Sequence, residues 1–325
     1  MLMRVLITGG AGFVGSHLAD ALLLRGDSVV LYDDFSTGRE SNIAHLAGRD
    51  DVHVVRGDIR DELHMNRIMG RVDACFHLAA AVGVNLIVEE PLRSLTTNIR
   101  GSEVVLGAAE HFGVKTLVTS TSEIYGKNTS DMLHEGDDRI LGSPLKVRWT
   151  YSEAKAIEEA LAYTLWEQSG LPTVITRLFN TVGPRQTGHY GMVVPRFVAA
   201  ALASDPVTVY GTGEQTRVFC HVLDVVNGLL AVWDDERAHG DVFNLGGVGE
   251  ISMNDLAARI IARTGSSSEI VHIPYEQAYE PGFEDMQRRV PSTDKVRALT
   301  GWQPKRSLDD IIDDVAEYQR FSGTR

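Results

Sequence analysis

Two groups of residues carry side chains that can do chemistry together. One is the run VTSTSEIYG, Val118 to Gly126, in which an apolar, β-branched segment ends in Ser120, Thr121, Ser122 and Glu123. Polar side chains at a strand's end point to a site, because open α/β sheets bind ligands outside the carboxyl ends of their strands. The hydroxyls suit holding and polarising an oxygen, and Glu123 adds a carboxylate that can exchange a proton. The other group is Tyr151 and Lys155, four apart in a stretch that reads as a helix and so on one face of it. A lysine beside a phenol stabilises phenolate and lets the tyrosine act as a base well below its usual pKa. A Tyr-x-x-x-Lys spacing also arises by chance, and the plain alternative is an aromatic buried on a sheet with a lysine reaching water.

A second motif supplies a reason for that pair. The strand-like RVLIT runs into Gly9-Gly10-Ala11-Gly12-Phe13-Val14-Gly15 and then into a helix starting near Phe13. Gly9, Gly12 and Gly15 form GxxGxxG, a variant of the dinucleotide fingerprint, in which glycines permit a tight turn and close backbone approach and the helix N-terminus receives a pyrophosphate. Asp33, at the end of VVLYDD, stands about where a carboxylate accepts hydrogen bonds from the adenosine ribose. Its charge would repel a 2′-phosphate, which favours NAD over NADP. Asp34 is the alternative ribose ligand. Asp58 and Ile59, in VRGDIRD, are expected to bracket the adenine, against the plain reading of Asp58 as a helix N-cap. An oxidised nicotinamide would add its positive charge to that of Lys155.

The elements that must position these groups are legible as an alternation. RVLIT, SVVLYD, VHVVRGD, ACFHLAA, TLVTST and TVITRLF are strand-like, with amphipathic stretches between them, the longest from about Pro91 to Phe112 and from about Tyr151 to Gln168. This predicts βαβ units: an α/β, Rossmann-type doubly wound parallel sheet with helices on both faces. From about Asn180 the pattern loosens into Gly- and Pro-punctuated pieces. Residues 1–179 are therefore expected to form a dinucleotide-binding domain, with 217–240 weaving back into it, and 180–325 mainly a smaller mixed α/β substrate region.

Composition narrows the classes. With 325 residues and 43% hydrophobic content the chain can bury a sizeable core, and its formal charge of −13 argues against general affinity for nucleic acid or anionic membrane. No apolar run approaches the roughly 18 residues of a membrane span, and the N-terminal MLMRVLITGG lacks a secretory signal, so a cytoplasmic protein is expected. Cys75 and Cys220 lie in strand-like runs and read as small buried hydrophobes, and no metal-ligand set is apparent.

Taken together, TGGAGFVGSHL, Asp33, HLAA at His77 to Ala80, STSEIYG, Tyr151-x-x-x-Lys155 and RLFNTVGPR resemble the extended short-chain dehydrogenase/reductases that modify nucleotide sugars. The resemblance continues through TVYGTGEQTR to LTGWQPKRSLDD and covers nearly the whole chain. It implies that NAD oxidises a sugar carbon, usually carbon 4, with Thr121 on the 4-oxygen, Tyr151 as general base and Lys155 as its tuner. It places Phe13, Val14, Leu78, Ala79, Ala80, Tyr151 and Lys155 beside the cofactor, and Asn180, Val194 and Arg217 beside the nucleotide-diphosphate sugar. One of Arg288 and Arg289 matches a late arginine that binds the nucleotide's phosphate or ribose. The two long helices match those that pair across a homodimer. Because Tyr151, Lys155 and Thr121 are all present, a non-catalytic NAD-binding sensor is disfavoured.

Glu123 separates subfamilies. The resemblance implies a small neutral residue there in simple 4-epimerases, and Ser-Glu or Asp-Glu in enzymes that also act at carbons 5 and 6. Arg148-Trp149 before Tyr151 is similar to the matching segment of decarboxylases. UDP-glucuronate decarboxylation is the expected reaction, ahead of 4-epimerisation and 4,6-dehydration, with Ser122 and Glu123 serving the extra step. One departure is that AAAVGVNLIVEEPLRS lacks the Pro-rich loop of xylose-forming enzymes.

Overall fold

The β-branched runs do form strands, and apart from the edge strand at Val52–Arg56 they are largely buried once helices cover the sheet. In the computed structural model, which describes residues 2–81, 90–188, 192–274, 277, 286 and 288–322, the first half alternates regularly. It contains β1 (Arg4–Thr8), α1 (Phe13–Leu24), β2 (Ser28–Asp33), β3 (Val52–Arg56), α2 (Glu62–Met69), β4 (Ala74–His77), α3 (Pro91–Phe112), β5 (Lys115–Thr121), α4 (Thr150–Ser169) and β6 (Thr173–Leu178). The second half adds α5 (Val193–Ala203), β7 (Val207–Tyr210), α6 (Val222–Trp233), β8 (Asp241–Leu245), α7 (Met253–Thr264), β9 (Ile270–Ile273) and α8 (Leu308–Ser322). Pro91 opens α3, and glycines in the left-handed conformation, Gly113 and Gly170, close α3 and α4.

Seven strands form one parallel sheet in the order β8-β6-β5-β4-β1-β2-β3. The chain builds outward from β1 through β2 to β3 and then returns to place β4 on the other side of β1. That reversal opens a crevice at the carboxyl ends of β1 and β4, where a ligand of such a sheet binds. Register sets Thr8 beside Tyr32 and His77, and Thr121 beside Leu178, so the predicted polar residues emerge along one edge. Leu18 and Leu22 of α1 and Val225 and Leu229 of α6 pack one face, while Met65 and Met69 of α2 and Val105 and Ala109 of α3 belong to the core on the other. Cys75 and Cys220 are both free and buried, as small apolar residues would be.

A separate core, including Val194, Phe197, Leu256, Ile260, Ile312 and Val315, holds α5, α7 and α8 together. The segment expected to return at 217–240 places α6 on the sheet, and the strand that completes the sheet, Asp241–Leu245, begins just past that expected end. No helix of the described residues is long and apolar enough to cross a membrane.

Asp224 of α6 fastens the approach to α8. It is 2% exposed, and its carboxylate accepts from the Lys305 and Arg306 amides at 3.0 and 2.8 Å and from the Arg306 guanidinium at 2.8 Å. Asp224→Ala leaves these donors without their acceptor. It is expected to lower unfolding stability by about 2–4 kcal/mol, measured by urea denaturation. A change below about 0.5 kcal/mol would show that the contact does not anchor the C-terminal segment.

Candidate active site

The dinucleotide loop is built by close backbone packing. Gly9 has φ 71°. A Cβ added at Gly15 would stand 2.2 Å from the Gly9 carbonyl oxygen, so α1 can press on the loop only without a side chain there. The N-terminus of α1 carries no side-chain cap, leaving its amides to a ligand. Asp33 is buried, and its carboxylate accepts from the amides of Ala11 at 2.9 Å and Phe35 at 2.8 Å. Burial pushes that carboxyl up, against the two amides that hold it down. Asp34 is exposed and accepts from the Ser36 amide and hydroxyl at 2.8 and 2.6 Å. Both aspartates border a cavity that Gly9, Gly12, Phe13, Val14, Gly15, Asp58, Ile59, Leu78, Ala79 and Ala80 also line. Asp58 is not a helix cap: Asp61 caps α2 by accepting from the His64 amide, while Asp58 pairs with Arg60 at 2.5 Å.

Arg185 was not singled out from the sequence, although it ends the GPR of RLFNTVGPR. It has a left-handed φ of 68°, borders this cavity, and holds Asp20 through Nη2 at 2.8 Å. Its Nη1 is buried without a hydrogen-bond partner among the described residues. A helix N-terminus without a side-chain cap and a guanidinium N–H without an acceptor among the described residues, on one cavity, fit a dinucleotide's pyrophosphate.

The cavity continues into a second, about 410 Å³ in volume, that reaches the predicted catalytic residues. Phe13, Val14, Leu78 and Ala80 line both. Thr121, Ser122, Glu123, Tyr151, Lys155, Asn180, Val194, Arg217 and Arg289 are brought together on its wall. The Thr121 hydroxyl accepts from the Glu123 amide at 3.1 Å, capping the short turn Ser122–Tyr125 and turning Glu123 inward. Asn180, at φ 26°, donates to the Val218 carbonyl at 2.8 Å, and Arg217 donates to the Thr216 carbonyl at 2.8 Å.

Glu123 is clamped. Arg148 Nη1 is 2.5 Å from its Oε2 and Arg289 Nη2 is 2.6 Å from its Oε1, while Arg289 also donates to the Ser122 hydroxyl at 3.2 Å. Burial alone would raise the Glu123 carboxyl, but the Arg289 and Arg148 guanidiniums hold it down at about 2. Of the two arginines one of which was expected at the nucleotide's phosphate or ribose, Arg289 lies on the cavity wall against Ser122 and Glu123. Arg288 pairs at the surface with Glu250 at 2.8 Å and Asp131 at 3.0 Å. Arg148 had drawn notice only as part of Arg148-Trp149, and nothing in the sequence tied it to Glu123.

Lys155 also departs from the simplest expectation. It is 1% exposed, and its ammonium donates to the Thr119 carbonyl at 2.7 Å and to Glu158 at 2.8 Å. The Tyr151 hydroxyl is pushed up, first by burial and then by the charges of Glu158 and Glu123. A lysine whose charge is met by a carboxylate does not by itself activate the phenol. The segment after HLAA, residues 82–89, with the departure noted there, lies outside the described residues.

This fold and site define a dinucleotide-dependent short-chain dehydrogenase/reductase of the extended type. The family model described as GDP-mannose 4,6 dehydratase matches residues 6–315, and the chain belongs to that family, among the NAD-dependent nucleotide-sugar epimerases and dehydratases. It is 39% identical over 323 residues to a UDP-N-acetyl-alpha-D-glucosaminuronate decarboxylase of Bacillus cytotoxicus, covering 98% of each chain. It is 36% identical over 319 residues to UDP-glucuronic acid decarboxylase 1 of Xenopus tropicalis, covering 98% of this chain and 72% of that one. Among solved structures, UDP-glucuronic acid 4-epimerase from Bacillus cereus, in complex with UDP-glucuronic acid and NAD, matches with a TM-score of 0.86 at 28% identity, over 98% of this chain and 99% of that one. The chain is therefore an enzyme and its cofactor is NAD.

Removing the clamp's negative charge gives a signed test. Glu123→Gln leaves Arg148 and Arg289 facing each other without a counter-charge, and is expected to lower stability near neutral pH by about 2–3 kcal/mol. A carboxyl held at about 2 contributes stability above its unfolded pKa and loses it as pH falls through the folded value. The difference between the wild type and the variant should therefore shrink from about pH 5 downward, in urea unfolding at several pH values. A pH-independent difference would show that the ion pairs are not its source.

Proposed function

We propose that the enzyme decarboxylates a UDP-hexuronate through a 4-keto sugar, UDP-glucuronate and its 2-acetamido counterpart being the candidates suggested by its relatives' names. The observation that carries this reading is the clamp: two guanidiniums converge on one carboxylate at the reacting end of the cavity. The cluster is net cationic, which suits a substrate carboxylate. Bound NAD supplies the hydride acceptor for sugar carbon 4. Tyr151 takes the proton of the 4-hydroxyl, and Thr121 holds the same oxygen. With a ketone at carbon 4, a carboxylate at carbon 6 belongs to a β-keto acid. The bond between carbons 5 and 6 breaks, carbon dioxide leaves, and the electron pair becomes an enolate whose oxygen Thr121 and Tyr151 stabilise. Arg148, Arg289 and Ser122 hold the departing carboxylate while Glu123 orders the two guanidiniums; carbon 5 is then reprotonated, and carbon 4 regains its hydride as Tyr151 returns the proton to oxygen 4. Asn180, Val194 and Arg217 bind the rest of the nucleotide sugar.

Dehydration would instead ask Glu123 to remove the carbon 5 proton. A carboxylate held at about 2 is a weak base, which favours the reaction that needs none. The deciding experiment incubates the enzyme and NAD separately with UDP-glucuronate, UDP-N-acetylglucosaminuronate, UDP-glucose and GDP-mannose and weighs the products. Loss of carbon dioxide from a hexuronate is expected and should fall at least about a hundredfold in Tyr151→Phe. Loss of water, or an unchanged mass with a new sugar, would replace this reading with dehydration or epimerisation.

The apolar side chains exposed on the two long helices, Leu92, Ile157 and Tyr163, support a homodimer in which α3 and α4 pair with their copies. Light scattering at micromolar concentration is expected to give twice the chain mass, and a monomer would overturn this.

A further inference from the structure

One buried carboxylate is not used by the reaction as drawn. Glu158 follows Lys155 by one turn of α4, is 1% exposed, and holds the Lys155 ammonium at 2.8 Å. Its other neighbours come from across the sheet. The Thr8 hydroxyl of β1 accepts from the Ala79 amide at 3.2 Å and shares a second hydrogen bond with His77 Nδ1, 2.7 Å away. A neutral imidazole can take either tautomer between these hydroxyls, its Nε2 facing the Ser102 hydroxyl of α3 at 3.1 Å. Burial, with the Lys155 charge, holds His77 at about 3, consistent with that neutral form. Ser102 also lies against Glu158 and acts to hold its carboxyl down. This line, which starts at a wall residue of the cofactor cavity, brings His77 Nε2 to 3.9 Å from the Glu158 carboxylate.

We propose that Glu158 is a positioning residue of the redox site: its carboxylate fixes the Lys155 ammonium and cancels its charge, so that Tyr151 ionises readily only once a positively charged nicotinamide occupies the cavity.

The pairing follows from burial. An ammonium this enclosed costs several kcal/mol without a counter-charge, and Glu158 supplies one. The same charge opposes ionisation of Tyr151. The groups facing Glu158 are Lys155, Tyr151 and Glu159 from its own helix, His77 from β4 and Ser102 from α3. Its own carboxyl is pushed up by burial, against Lys155 and Ser102. The inference rests on Tyr151 and Lys155 being the proton-transfer pair.

Glu158→Gln keeps an acceptor for Lys155 and removes the charge, whereas Glu158→Ala removes both. The first readout needs no sugar. Calorimetry of NAD⁺ and NADH binding should show the preference for NAD⁺ over NADH falling by about tenfold in Glu158→Gln, because a nearby negative charge favours the cationic ring. The second is the pH profile of kcat. Its acid limb should move down by about one unit in Glu158→Gln, a tenfold change in phenolate at fixed pH. Glu158→Ala should lose kcat across the whole range, with the loss largely rescued in Glu158→Gln. A folded Glu158→Gln with an unchanged affinity ratio and an unchanged acid limb would overturn the proposal. Should that variant fail to fold, Glu158→Ala removes the same charge, and a shift of the affinity ratio in the same direction is expected. No shift there would equally overturn it. An enzyme that acts on none of the four nucleotide sugars would sink the reading of its reaction while leaving the affinity ratio to decide the role of Glu158.

Discussion

A charge stays inside this protein only with a partner, and the partnerships determine what the site can do. Taking an ion out of water costs several kcal/mol unless an opposite charge and further hydrogen bonds replace the lost hydration. Glu123 has Arg148 and Arg289, Lys155 has Glu158, Arg177 has Glu159, and Asp224 has Arg306. The first two stand on the wall of the cavity or just behind it, and the last two fix the elements around it. Although the whole chain carries a formal −13, the cluster at the reacting end of the cavity is net positive. The global charge is therefore no guide to the substrate, since local geometry decides the field a ligand meets.

Helix α4 carries two of these four partnerships on one face. Tyr151, Lys155, Glu158 and Glu159 are spaced by four, three and one, so they fall in one stripe of about two turns and are all buried. Glu159 takes Arg177 of β6 in two hydrogen bonds, at 2.9 and 2.7 Å. Arg177 in turn donates to the Tyr125 hydroxyl at 2.9 Å, and that hydroxyl donates to Asn244 of β8 at 2.7 Å. The rotation of the helix about its axis is thus fixed from two neighbouring strands. The tyrosine of the Tyr-Gly pair, conspicuous in the sequence, serves this structural chain and stands apart from the chemistry.

The fold was legible because it is written in local terms. Strand-forming runs, glycine turns and helix-closing glycines lie next to one another in the chain, and the parallel order follows from their alternation. The cofactor loop was legible for the same reason: Gly9, Gly12 and Gly15 act on each other over a single turn. The partnerships were not legible, because each joins residues whose proximity only the folded sheet creates. Arg289 reaches Glu123 from far along the chain. Even Glu158, three residues from Lys155, reads as an ordinary solvated helix charge until burial and the Thr8–His77–Ser102 line are seen. Resemblance located the late arginine pair but not which way either would face.

What the clamp changes is the chemical meaning of Glu123. From sequence alone its carboxylate suggested a base for carbon 5 as readily as a partner for carbon 6. Brønsted behaviour ties the strength of a base to its pKa, so guanidiniums that hold a carboxyl near 2 remove most of its basicity and leave its charge intact. An ionised side chain of that kind is suited to orienting cations. It also occupies the place that a substrate carboxylate would share, so the arginines can pass from one carboxylate to the other without ever being buried alone. In the reaction proposed, decarboxylation places its demand for charge stabilisation at oxygen 4, the role proposed for Thr121 and Tyr151, and asks of the clamp only that it receive and orient the group that leaves.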